Sequence, residues 1–353
     1  MPISFALYSD FNLLPGAPVR GLCDKQACRY VDPGMTHSGS SLKWGKVKTA
    51  HTLGMSSTIA PALVHQTDGG DVIPTGWSRA GEHGYRVKGN WNSRHAFFSP
   101  LQNRYSPVTI FETFRQSIIL LAHEAYSVPM EHHFVMWDVY YTAVPQELAV
   151  REEAARIDVE VEFSDILQRG TRPAGMHCHI VISRGGRQLA AGGGRLSITS
   201  PAAYRRLRGE ALHSHAATAD LRPAIAPALV GRSDESYVVL GAADTPDSWG
   251  LRIDPLHPLN VNRKRDHHPG ILLMEAVQQV AHLVPRQPFY PETLRIQFQR
   301  YAELGVPCVI EARTCVQLGT GTELLTVRGT QDGQLVFTAD LHNAAALVPA
   351  DAP

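Results

Sequence analysis

Two glutamates sit on runs that otherwise read as apolar helices. Glu112 lies in Phe111-Glu112-Thr113-Phe114-Arg115-Gln116, and Glu275 in Met274-Glu275-Ala276-Val277-Gln278-Gln279. Each follows a histidine: His95 stands 17 residues before Glu112, and His257 stands 18 residues before Glu275. A carboxylate is costly to remove from water unless it is paired or neutralised, so a glutamate on a buried helix marks a candidate site. Histidine and carboxylate together can move a proton to or from a reacting group. The candidate catalytic residues are therefore Glu112, Glu275, His95 and His257. Arg115, Gln116 and His123 fall on related turns of the first helix. In the second, Glu275, Gln278, Gln279 and His282 stand at i, i+3, i+4 and i+7, which is one face. The plainer alternative is that these polar groups satisfy loop backbone at the helix start.

Positive charge is the second chemical signal. Arg263-Lys264-Arg265 is the densest basic cluster and precedes a helix expected to open at Pro269-Gly270. Free N–H groups and the dipole at a helix start favour anions, so a phosphate is sensible near Arg263, Arg265 and Gly270; a solvated basic loop is the alternative. Arg115 sits one turn from Glu112, where its fork could grip phosphate oxygens in a bidentate manner. An Arg115–Glu112 or Arg115–Asp138 ion pair would explain it as well. Gln116, Gln278 and Gln279 complete the candidate substrate-binding set.

Other chemistries find little support. The chain has no Gly-x-Ser-x-Gly elbow, P-loop or dinucleotide glycine fingerprint. Gly192-Gly193-Gly194 falls inside a strand pattern and implies a bulge or close backbone approach. His177-Cys178-His179 lacks a further ligand at a standard zinc spacing, so neither metal nor cofactor is expected. Lys plus Arg and Asp plus Glu both number 33, which argues against nucleic acid as a partner. No run of 18 apolar residues exists, and the start lacks a basic and then apolar leader pattern, so no membrane span or secretion is expected. Five scattered cysteines fit a reducing cytoplasm.

The elements that hold these residues occur twice. Equivalent positions are offset by 166 at Leu63/Leu229, 162 at His95/His257 and 163 at Glu112/Glu275. Each copy begins with a strand pair, reached in the second through Tyr237-Val238-Val239-Leu240. Apolar residues at helical spacing then predict helices over 110–126 and 270–284, bounded by Pro107 and Pro129 and by Pro269 and Pro285. Strands follow. Ile157, Val159, Val161 and Phe163 alternate with Asp158, Glu160 and Glu162, and Leu294, Ile296 and Phe298 alternate with Arg295, Gln297 and Gln299. The domains read as an irregular extension over 1–57, a first domain over 58–200, a linker with a short helix over 201–227, and a second domain over 228–345. The linker's Arg205, Arg206 and Arg208 suit either an acidic carrier protein or plain solvation. One long apolar helix among antiparallel strands should be wrapped by the sheet, an α+β arrangement.

That pattern resembles a tandem, or double, hotdog fold. Pro269-Gly270-Ile271-Leu272-Leu273-Met274-Glu275-Ala276 is similar to the helix start of β-hydroxyacyl-carrier-protein dehydratases. From about 60 to 343 the chain resembles the A-factor biosynthesis (AfsA-type) family of actinobacteria. The carrying segments include Leu63-Val64-His65, Arg94-His95-Ala96-Phe97-Phe98, Glu112-Thr113-Phe114-Arg115-Gln116, Met136-Trp137-Asp138, Ser200 to Gly209, and Asp266-His267-His268-Pro269-Gly270. The resemblance implies a cytoplasmic acyltransferase. It would condense a β-ketoacyl group, carried as an acyl carrier protein thioester, with the hydroxyl of dihydroxyacetone phosphate. The product would lead to a γ-butyrolactone, butenolide or furan signal. It implies pairing across the halves, Glu275 with His95 and Glu112 with His257, with helix-start N–H groups near Gly270 or Pro107 polarising the thioester. A monomeric pseudo-dimer or a homodimer is expected. One departure stands out: the family's second copy usually carries Arg where this chain has Gln278. The alternatives are a hotdog thioesterase or dehydratase, or a non-catalytic ligand-binding module.

Overall fold

The structure, a computed structural model, describes residues 59–95, 98, 100–151, 154–213, 222–242, 245–254, 257, 266–284, 289–317 and 323–343. The Arg263-Lys264-Arg265 cluster therefore lies outside the described residues. In chain order the elements begin with strands β1 (Pro74–Arg79) and β2 (Gly84–Asn92), then helix α1 (Pro107–Tyr126). Strands β3 (His133–Ala143), β4 (Ala154–Arg169), β5 (Arg172–Arg184) and β6 (Arg187–Thr199) complete the first half. After helix α2 (Pro201–Arg208) come β7 (Leu240–Gly241), β8 (Ser248–Leu251), β9 (His267–His268) and helix α3 (Gly270–Leu283). Strands β10 (Pro291–Phe298), β11 (Ala302–Glu303), β12 (Cys308–Gln317), β13 (Glu323–Gln331) and β14 (Gln334–Asn343) finish the chain.

Twelve strands form one sheet in the order β1-β2-β4-β5-β6-β3-β10-β14-β13-β12-β8-β7. Read from either end, that order visits equivalent strands, so the halves are related by a pseudo-two-fold axis. The axis passes between β3 and β10, which pair antiparallel with Tyr140 opposite Arg295. Each half thus covers the edge strand the other would leave exposed. The described residues of both halves form one compact unit, not two separate bodies.

Local sequence explains the helices. Proline occupies the first turn of α1, and the Ser106 hydroxyl accepts from the Val108 amide, so the helix is capped at its start. It ends where Ser127 turns into the left-handed region. Between Pro107 and His123 every residue of α1 is buried except Arg115. Helix α3 is buried from Ile271 through Ala281 without interruption. Both helices are buried, largely apolar rods, as their periodicity implies.

Each copy opens on the expected strand pair, β1 with β2 and β7 with β8, and turns precede it. Leu63-Val64 and Leu229-Val230 lie in 3-10 turns, Pro61–Val64 and Pro227–Val230, and Glu235–Tyr237 is another, leaving β7 only two residues. Proline opens both of the first two turns, and the left-handed His65 and Gly231 close them.

Candidate active site

Each half builds the same clamp around its buried glutamate. In the first half, Oε1 of Glu112 accepts from Gln66 Nε2 at 2.7 Å, Gln116 Nε2 at 2.7 Å and Arg115 Nη2 at 2.6 Å. Its Oε2 accepts from Arg115 Nε at 2.8 Å. In the second half, Glu275 accepts from Gln279 Nε2 at 2.6 Å and Arg232 Nε at 2.8 Å, and its other oxygen from Arg232 Nη2. Both carboxylates are almost wholly shielded from water, at 1% and 0% exposure, and an ion pair with added hydrogen bonds is what makes such burial tolerable.

The glutamines one turn on hold the preceding loop in both halves. Gln116 donates to Asp71 O and accepts from the Ile73 amide; Gln279 donates to Tyr237 O and accepts from the Val239 amide. For these two residues the structural alternative, satisfaction of loop backbone, is what the geometry displays.

The arginine changes place. In the first half it stands on the helix as Arg115, with Gln66 on the loop. In the second it stands on the loop as Arg232, with Gln278 on the helix. The departure at Gln278 is thus accompanied by an arginine at the partner position. The sequence reading passed over Gln66 and Arg232. The 166-residue offset that joins Leu63 to Leu229 also joins Gln66 to Arg232 and would have found them.

Exposure separates the two arginines. The Arg115 side chain is 23% exposed, that of Arg232 only 1%. Arg115 also donates to Val64 O at 3.2 Å, and its Nη1 has no acceptor among the described residues. Burial works against its charge, but the Glu112 carboxylate more than offsets this and holds the guanidinium above its ordinary pKa. The alternative Arg115–Asp138 pair does not form; Asp138 binds Arg195 instead, at 2.6 Å.

His95 Nε2 lies 2.8 Å from Asp71 Oδ1, and its Nδ1 accepts from the Phe98 amide at 3.2 Å. A continuous path therefore runs from His95 through Asp71, Gln116 and Glu112 to Arg115, inside one half. These contacts link His95 to Glu112, in its own half. His257 is fully buried, and the position Asp71 holds is Tyr237 in its half. An imidazole pair flanks the clamp. His65 Nε2 lies 3.0 Å from His123 Nε2, and His123 Nδ1 meets Val128 O at 2.7 Å. Burial, followed by the neighbouring His123, lowers the His65 pKa to about 4.

Gln278 meets the Ser106 hydroxyl at 3.0 Å, and its Nε2 is buried without an acceptor. The helix starts also differ. The Ser106 side chain caps α1, but α3 begins at Pro269 with no side-chain cap, and the amides of Gly270 and Ile271 find no acceptor among the described residues. A Cβ on Gly270 would lie 3.9 Å from the Phe111 ring, so this uncapped end abuts α1 of the other half. Of the linker arginines, Arg208 is buried rather than solvated. It binds Glu303 at 2.5 and 2.7 Å and Asp266 at 3.0 Å, and Tyr204 OH donates to Asp266 at 2.6 Å.

A tandem hotdog whose helix-borne glutamates are clamped by arginine and glutamine is the class these features define. A family model for the A-factor biosynthesis hotdog domain (AfsA) matches residues 47–200 and 213–345, and the chain belongs to that family. It is 38% identical over 285 residues to the 2-oxo-3-(phosphooxy)propyl 3-oxoalkanoate synthase of Streptomyces virginiae, spanning 80% of this chain and 97% of the relative. It is 39% identical over 291 residues to the synthase of the same name from Streptomyces coelicolor, spanning 81% and 92%. Among solved structures it is similar to a 12:0-ACP thioesterase from Umbellularia californica, at 11% identity and TM-score 0.43, covering 73% of this chain and 93% of that one. It is also similar to a bifunctional dehydratase-cyclase domain in ambruticin biosynthesis, at 14% identity and TM-score 0.43, covering 78% and 95%. No described helix is long and apolar enough to cross a membrane.

Proposed function

We propose that this chain is a synthase that transfers a 3-oxoacyl group from a thioester to the hydroxyl of dihydroxyacetone phosphate. The product is the phosphorylated ester that names its relatives, an early intermediate of a γ-butyrolactone, butenolide or furan signal. The observation that carries this reading is the match of both halves to those synthases. The donor is an acyl carrier protein thioester, and the reaction belongs to the cytoplasm, in a pseudo-dimeric monomer or its homodimer.

The chemistry fits the first-half site. The hydroxyl oxygen attacks the thioester carbonyl carbon, its proton leaves, and the carbonyl oxygen becomes an oxyanion. The C–S bond then breaks, and the thiolate takes up a proton. His95, oriented by Asp71, is assigned as proton acceptor, since the carboxylate stabilises an imidazolium and a hydroxyl can displace the long Phe98 contact. The amides of Gly270 and Ile271 are assigned to the oxyanion, where preorganised donors act most strongly. Arg115 is assigned to the phosphate through its open Nη1, with Glu112 holding the guanidinium in place. Arg263 and Arg265 are reserve phosphate ligands. Incubation with a 3-oxoacyl thioester and dihydroxyacetone phosphate tests the reading by mass spectrometry. A phosphorylated ester is expected. Free acid or enoyl product without ester would replace it with a thioesterase or dehydratase.

A further inference from the structure

Beside the Glu112 clamp lies a group of basic side chains with no part in the chemistry assigned above. His65 follows Val64, whose carbonyl accepts from Arg115 Nη2 at 3.2 Å, so its imidazole stands next to the partly exposed guanidinium. Its Nε2 lies 3.0 Å from Nε2 of His123, and Phe134 packs edge-on against both rings. The groups that act on its charge are His123 and Arg115 from α1 and His133 from β3, and all three disfavour a proton there. Glu112 is paired with Arg115, and Asp266 acts on His133.

The backbone sets His65 apart. It holds a left-handed conformation with φ 53°, which glycine adopts freely and other residues seldom. Its counterpart at the 166-residue offset is Gly231, with φ 68°. A Cβ on Gly231 would lie 3.0 Å from the His282 ring, so a side chain is crowded there. The half with the sealed arginine thus has glycine, and the half with the open arginine holds a histidine against backbone preference. A conformation kept at that cost points to a use.

The hydrogen bonds fix the protons. His123 Nδ1 meets the Val128 carbonyl at 2.7 Å and must donate, so neutral His123 offers a bare Nε2. His65 Nε2 must then donate to it, which leaves His65 Nδ1 as a lone pair with no partner among the described residues. Burial, then His123, Arg115 and His133, lower the His65 pKa to about 4, so Nδ1 carries no proton near neutrality. A phosphate ester is largely dianionic there, its second acid step lying at about 6. Two charges of that sign beside the ring favour the proton that the cations repel. A phosphate oxygen and a nitrogen lone pair can meet only with a proton between them.

We propose that His65 is a second phosphate ligand beside Arg115, and that the acceptor's phosphate binds together with one proton, shared with His65 Nδ1. The inference rests on the phosphate role given to Arg115 and assigns it a partner.

Isothermal titration calorimetry in two buffers of different ionisation enthalpy counts the protons taken up, with dihydroxyacetone phosphate and, separately, glycerol 3-phosphate as the probes. At about pH 7.5 the wild type should take up about one proton per ester, and its affinity should weaken by up to about tenfold per pH unit as pH rises. His65→Asn accepts the left-handed backbone and cannot titrate. It should abolish the uptake, flatten the pH dependence and weaken binding by about tenfold or more, the scale of one lost hydrogen bond to a charged group. His65→Gly, the second-half residue, should do the same without backbone strain, so it decides the matter if the Asn variant folds poorly. His282→Leu should leave uptake and affinity unchanged. A histidine that only supported the fold would alter affinity without altering proton uptake. Wild-type binding without uptake, uptake that survives in both His65 variants or vanishes in His282→Leu, or no binding of either ester would overturn the assignment. Proton-linked binding that depends on His65, in a protein that forms no ester from a 3-oxoacyl thioester, would leave the anion site standing while the synthase reading falls.

Discussion

The two halves hold the same glutamate by the same number of elements, yet place the arginine on opposite sides of it. Arg115 rises from the helix and is partly exposed, whereas Arg232 comes from the loop and is sealed in. Both arrangements neutralise a buried carboxylate, so both serve the fold. Only the first leaves part of the guanidinium facing outward. A duplicated domain can thus keep its internal electrostatics in both copies while retaining an anion-binding group in one.

The sharpest break in this comparison lies in the sheet. Gly194→Ala should cost more than about 4 kcal/mol, because its Cβ would meet Asp138 O at 2.1 Å and neighbouring backbone cannot yield as a side chain can. The mirror change, Leu341→Ala, removes buried methyl groups and should cost about 2–5 kcal/mol. Urea unfolding followed by circular dichroism measures both. Equal, small losses would show that the glycine strand is not wedged.

Next in size is the clamp itself. Glu275→Ala removes the carboxylate that pairs with the buried Arg232, which costs about 3–5 kcal/mol. Glu112→Ala should cost less, because Arg115 already reaches solvent. A larger loss for Glu112→Ala than for Glu275→Ala in urea midpoints would reverse the roles given to the halves.

Exchange of the clamp partners sharpens the same point. Gln66→Arg with Arg115→Gln gives the first half the second-half arrangement, keeping an arginine for Glu112 but moving it from the helix to the loop. Stability should hold near wild type while kcat/KM for dihydroxyacetone phosphate falls about 100-fold, chiefly through KM, the scale of one lost hydrogen-bonded contact to a charged group. Arg232→Gln with Gln278→Arg, the reciprocal exchange, should leave activity within a few-fold. If the reciprocal pair abolished activity and the first did not, the second half would be the working one.

Much of this was legible from periodicity. The period-2 alternation of Ile157 to Phe163, the helical spacing from Phe111 to Ala122 and the glycine triplet each describe local geometry, and local geometry is what sequence patterns encode. The equivalent glutamates were legible for the same reason. What escaped were contacts between distant segments: Gln66 on Glu112, Arg232 on Glu275, Asp71 on His95. No spacing rule joins a turn near 66 to a helix at 112. Arg208 was equally opaque, since a basic run reads alike whether solvated or packed against Asp266 and Glu303. Tyr237-Val238-Val239-Leu240 reads as a strand, but Tyr237 ends a turn and only Leu240 belongs to β7.

The smallest expected effect concerns acid. His65 in the first half and His282 in the second both have pKa values lowered from 6.5 to about 4, each mainly by burial; His123 and Arg115 reinforce the first, and Arg232 the second. An unfolded imidazole takes up its proton near 6.5, whereas these do so only near 4. Between those values the unfolded chain binds more protons than the fold. Stability is therefore full above about 6.5 and declines as pH falls toward about 4. His282→Leu should flatten that decline and leave the neutral-pH midpoint nearly unchanged, because Nε2 of His282 has no partner to lose. His65→Leu should flatten it too but lower the neutral-pH midpoint, since the bond to His123 goes with it. Urea midpoints at neutral pH and at about pH 5 decide between them. Identical behaviour of the two variants would mean that the imidazole pair does nothing for the first half that a lone buried histidine does not do for the second.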